Sequence, residues 1–148
     1  MRWFGSARGG FAGHQWRVVA IEHDGKKTLV PVRYQVFLQF AKNGDFGAND
    51  SVNFHSGTYR LVSGGFAISK LRRTLVGYVG DDPVILRAAA AISAFSRGVD
   101  VVAAVTGDRL EVTVGGYLLD CQRDGKYSDA PLRDRTGVRP PGAGTGPK

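Results

Sequence analysis

Asp50, Ser51 and His55 fall within six residues of one another, and a carboxylate, a hydroxyl and an imidazole are the parts of a nucleophilic hydrolase. That chemistry needs the base within about 3 Å of the nucleophile, an oxyanion donor beside them, and a strained turn that holds the hydroxyl up. The surrounding residues, Asn49 to His55, contain no Gly-x-Ser-x-Gly turn. They read instead as turn formers that hydrogen-bond their own backbone. No catalytic residue is expected, and a weak hydrolase using this loop is kept only as a third reading.

Three neighbours, Asn53, Gly57 and Tyr59, carry a different signal. Asn53 tolerates left-handed backbone and ties loops, Gly57 permits close approach, and Tyr59 can bury its ring while its hydroxyl meets a backbone group. These are structural roles, and a loop at the mouth of a barrel can also bind a ligand. Lys70, Arg72 and Arg73, with Arg60, Lys42, Tyr59 and Tyr78 brought near by strand pairing, would make a basic patch with stacking rings. Nucleic-acid-binding barrels combine those features, so nucleic-acid binding is the second reading, while a solvated strand face is the commoner meaning of such bases. His14, His23 and His55 lack chelate spacing, so no metal is expected. Gly64-Gly65 and Gly115-Gly116 precede strands rather than helices, which makes them hairpin turns and not phosphate loops. No cofactor is called for.

The chain that must position these groups has 148 residues, 43% hydrophobic and 22% charged, the composition of one ordinary globular domain. Its net charge of +7 points at a polyanion partner. Residues 14–121, however, hold 12 bases against 10 acids, so the excess sits on the ends and nucleic acid is not the favoured partner. The longest apolar stretch, Val84 to Phe95, is broken by Arg87 and falls short of the roughly 20 residues of a membrane span. A lone Cys121 excludes an internal disulfide and a thiol zinc site. It continues the inward phase of Tyr117 and Leu119, which predicts a buried, inert thiol. No apolar run follows the basic N-terminus, so the chain as written reads as cytoplasmic, with an envelope or secreted location if the start is misassigned or trimmed.

Period-two alternation and turn signals predict strands at 15–21 and 28–32 around Asp24-Gly25, then at 34–40 and 58–62, with Phe66 onward reaching Val76. Residues 47–57 read as an ordered loop. The period then becomes 3.6: Asp82 as cap, Pro83 as first residue and Gly98 as stop bound a helix over 83–97. Strands at 99–105, 110–114 and 117–122 follow. Residues 1–13 and 124–148 lack periodicity and are expected to be a disordered lead and tail around a domain over 14–123. The fold class is therefore all-β with one helix, an antiparallel barrel-like sheet whose opening the helix covers. The inward set is Trp16, Val18, Leu38, Phe40, Tyr59, Ile68, Ile92, Phe95, Leu110, Val112, Leu119 and Cys121.

Trp16 in the opening strand, Phe46-Gly47, Val52-Asn53, Ser56-Gly57-Thr58-Tyr59, Phe66-Ala67-Ile68, Thr74-Leu75-Val76, the helix and the closing strands at Leu110 and Tyr117 occur in that order. In this the chain resembles the META domain, or HslJ-like, family of small bacterial proteins over roughly residues 15–123. The resemblance implies an eight-stranded barrel-like fold. It also implies a family linked to heat shock, motility and drug tolerance without an agreed biochemical activity. Val52 stands where many relatives have cysteine, and Leu75-Val76-Gly77-Tyr78 where they often have a second, so their disulfide cannot form here. The function expected is a non-enzymatic, monomeric binding or stress- or envelope-associated accessory factor, with an unknown protein or small-molecule partner.

Overall fold

The computed structural model describes residues 10–126. Nine strands and one α-helix follow in chain order: β1 (His14–His23), β2 (Lys26–Leu29), β3 (Phe37–Phe40), β4 (Asp45–Asn49), β5 (Phe54–Val62), β6 (Gly65–Arg73), α1 (Pro83–Ser93), β7 (Asp100–Thr106), β8 (Arg109–Val114) and β9 (Tyr117–Lys126). Each strand pairs antiparallel with its neighbour, and β9 returns to β1. Eight strands thus close a barrel. The ninth, β2, shares an edge of β1 with β3: β3 takes His14 to Arg17, and β2 takes Ala20 to His23. The turn that folds β2 back uses Asp24 and Gly25, both at positive φ (52° and 76°), as a two-residue hairpin of right-handed twist requires.

All twelve residues of the expected inward set are buried. Inside the barrel Phe40, Phe46, Tyr59, Phe66 and Phe95 form one aromatic cluster, with Phe40 and Phe66 centroids 5.0 Å apart. Helix α1 starts as the sequence predicts, with the Asp82 carboxylate accepting from Val84 N–H at 2.9 Å and Pro83 in the first turn. It contributes Ala88, Ala91 and Ile92 to the core. It ends at Ser93, four residues short of the expected Arg97, because the chain must turn to insert Phe95. Gly98 does adopt positive φ, but in the next turn, where its N–H donates to the Ile68 carbonyl. That bond helps fill a gap in the wall, since β6 and β7 pair only through Gly65–Ala67 and Asp100–Val102.

Two boundaries differ from expectation. Before the expected start at His14, Phe11 is fully buried among Phe40, Tyr59 and Phe66 and its carbonyl accepts from the Trp16 indole at 3.0 Å. After the expected end at Arg123, β9 continues pairing with β1 as far as Lys126 opposite His14. The rest of the expected lead and tail, residues 1–9 and 127–148, lies outside the described residues. Among the described residues no helix is long and apolar enough to cross a membrane.

Cys121 lies between Val18 and Leu110 in the ladder and is fully buried. Burial, with the neighbouring Asp120 charge adding to it, pushes its thiol far up from the ordinary value. A thiol-specific reagent is therefore expected to leave native protein unmodified while titrating one thiol in denaturant; rapid native labelling would contradict this.

Candidate functional site

The residues read as a loop, 47–57, are mostly strand. Phe46 to Asn49 pair with both β3 and β5, and only residues 50–53 turn. Asp50 builds that turn. One carboxylate oxygen accepts from the amides of Val52 (2.8 Å) and Asn53 (2.6 Å), the other from His55 Nε2 (2.9 Å), and Asp50 N–H donates to the Asn53 carbonyl. Asp50 and His55 are both buried. Burial pushes the Asp50 carboxyl up, but the bonds from His55 and the two amides outweigh it and hold the group below the ordinary carboxylate value. Ser51, between the bonded residues, is left at φ 83°, a region that non-glycine residues seldom occupy.

This arrangement brings the expected acid and base together but not the nucleophile. A triad needs the imidazole to receive the serine proton on the nitrogen opposite the carboxylate. Here that nitrogen, His55 Nδ1, is buried with no hydrogen-bond partner. The Asp50–His55 pair instead ties a turn to the strand that follows it.

Asn53 ties that turn to a third segment. Its side-chain oxygen accepts from Thr74 Oγ1 (2.6 Å) and Val76 N (2.7 Å), and its amide nitrogen donates to the Val76 carbonyl (2.9 Å). Thr74 completes the tie through Phe54, whose N–H donates to Thr74 Oγ1 and whose carbonyl accepts from Thr74 N. Here the expected strand to Val76 stops early: β6 ends at Arg73, and the Asn53 amide replaces the ladder beyond it. Gly57 sits beside a register shift between β5 and β6, where a Cβ would run into the Lys70 carbonyl. Tyr59 buries its ring and donates its hydroxyl to the Ala41 carbonyl at 2.7 Å. Each residue of this group is thus engaged by the chain itself, Asn53 through both ends of its amide.

The basic group does not form one patch. Lys70 and Arg72 pair with Thr58 and Ser56 on the outer face, whereas Arg73, one residue on, reaches the Phe95 carbonyl at 3.3 Å. Lys42 is laid along Gly13. Of the histidines, His23 stacks on Tyr117 (4.1 Å) and bonds the Gly116 carbonyl (3.0 Å). Among the described residues no three His, Cys, Asp or Glu side chains gather as metal ligands.

What lies outside all earlier expectation is the segment that Asn53 holds. Leu75 is 88% exposed, Val76 60%, Tyr78 37% and Val79 98%. The segment is fixed at its start by Asn53 and at its end by Asp82, whose N–H donates to the Tyr78 hydroxyl (3.2 Å) and whose carboxylate accepts from the Tyr34 hydroxyl (2.7 Å). The signal was present in sequence as Leu75-Val76-Gly77-Tyr78-Val79, apolar yet interrupted by Gly77 and followed by Gly80-Asp81-Asp82, but it reads equally as an inward strand.

No family model matches the chain, and no curated protein does. Solved structures resemble it. A protein from Burkholderia xenovorans studied by NMR has a TM-score of 0.62 at 17% identity, covering 80% of this chain and 87% of its own. A second NMR structure has a TM-score of 0.55 at 14% identity, covering 74% and 88%. Likeness at these identities shows a shared fold.

Proposed function

We propose that this chain is a non-enzymatic META-like binding barrel whose contact surface is the apolar segment 75–79. The observation that carries the reading is that Asn53 spends both ends of its amide holding Val76 while the side chains beside it face solvent. Four large apolar groups within five residues, fixed in place and three of them largely uncovered, are a feature that protein surfaces normally avoid unless something docks there. On this reading Asn53 is a positioning residue, Gly57 and Tyr59 maintain the wall behind it, and the Asp50–His55 pair braces the turn. The role of a stress- or envelope-associated accessory factor fits such a surface.

Affinity capture from the native host, on both soluble and detergent-extracted fractions, tests this with wild type, Ser51→Ala and the double variant Leu75→Ser, Val79→Ser. The expected result is specific capture by wild type and Ser51→Ala that falls about tenfold or more in the double variant, at unchanged melting temperature. Capture indifferent to Leu75 and Val79, or turnover of a generic ester that Ser51→Ala abolishes, would sink the proposal.

A further inference from the structure

We infer that residues 75–79 seat the barrel on an anionic lipid interface, an inference that rests on the reading of this segment as the contact surface. Leu75 and Val79, 88% and 98% exposed, project from the molecule with no groove of this chain around them. A protein partner would need a pocket shaped to each projecting side chain. The interfacial zone of a bilayer instead closes around any projecting apolar group and gains from its burial.

Tyr78 adds an independent mark of the same environment. Its ring is partly covered, and its hydroxyl, which accepts the Asp82 amide, keeps the polar end of an amphipathic ring at a fixed depth. Tyrosine favours the headgroup level for that reason. The charge beside the segment selects the lipid. Strand β6 leads into it with Lys70 and Arg72 exposed on the outer face, and cations close to an anionic leaflet are attracted to it. The two acids on the far side are not equivalent: Asp82 is occupied by Tyr34 and the first turn of α1, leaving Asp81 as the exposed opposing charge.

Flotation of the full chain with vesicles of phosphatidylcholine alone, and of phosphatidylcholine mixed with phosphatidylglycerol, tests the inference. Wild type is expected to float with the mixed vesicles and much less with the neutral ones. The double variant Leu75→Asp, Val79→Asp is expected to lose about tenfold or more of that partition with its melting temperature unchanged. Lys70→Gln with Arg72→Gln is expected to narrow the difference between the two lipids. The inference is overturned if wild type does not float, if it floats equally with both lipids, or if the aspartate variant floats like wild type, in which case basic residues elsewhere suffice. Failure here while host capture still depends on Leu75 and Val79 would remove the lipid and leave the binding surface.

Discussion

Phe11→Ala is expected to lower stability by about 3–5 kcal/mol, a fall of roughly 10–20 °C in melting temperature. Phe11 lies three residues before β1 and would count as part of a floppy lead by its glycine-rich surroundings, yet its ring is wholly buried. It stands 4.8 Å edge-on to Phe40 and 5.5 Å from Phe66, so truncation opens a cavity among rings that the closed wall cannot collapse to fill. The backbone bond from the Trp16 indole to the Phe11 carbonyl also needs this residue's position. Deleting residues 1–13 should therefore cost at least as much as the point substitution. Thermal melts of wild type, Phe11→Ala and Phe11→Leu check this, the leucine variant recovering part of the loss by refilling the space. A Phe11→Ala protein melting within a degree or two of wild type would mean that the ring adds nothing to the core.

Phe11 also illustrates which parts of this fold could be read from residue order. Much of the barrel wall was legible because two-residue turns at 24–25, 63–64, 107–108 and 115–116 fix four hairpins and alternation fixes the face, and the helix start was legible because Asp82-Pro83 is local chemistry. A single phenylalanine between glycines has no period, so its burial is decided by a space that exists only once the barrel closes. Gly47, Asn49, Ser56 and Gly57 are poor strand formers, and pairing with β3 and β6 overrode that preference. The Asn53 tie spans 21 residues to Thr74 and 23 to Val76 and leaves no local trace. The split of the basic group was legible and was missed: Arg72 and Arg73 are adjacent, and adjacent residues of a strand face opposite ways.

Asp50→Ala is expected to cost about 3–5 kcal/mol, because it removes one member of a buried, hydrogen-bonded pair and leaves His55 and the Val52 and Asn53 amides without their acceptor. Asp50→Asn is the sharper probe. It keeps the shape and one amide acceptor but presents an NH2 group to His55 Nε2, forcing the imidazole proton onto the buried Nδ1, which has no partner to receive it. The wild-type pair should also show in the acid limb of stability. Because folding holds the Asp50 carboxyl below its ordinary value, the folded protein binds this proton less readily than the unfolded chain. Its contribution is complete above the unfolded aspartate value of about 3.9 and is lost as pH falls through the lower folded value. Wild type should accordingly lose stability more steeply than Asp50→Asn below about pH 4. The carboxyl of Asp82 is likewise held down, first by the Tyr34 hydroxyl, and it remains in both proteins. Asp82 therefore cancels from the difference between the curves, which reports the Asp50–His55 pair. Denaturant midpoints measured from pH 7 down to pH 3 decide it. Parallel acid limbs in the two proteins would mean that folding does not lower the Asp50 carboxyl, and that the turn under Asn53 is held by its backbone bonds without help from the charge.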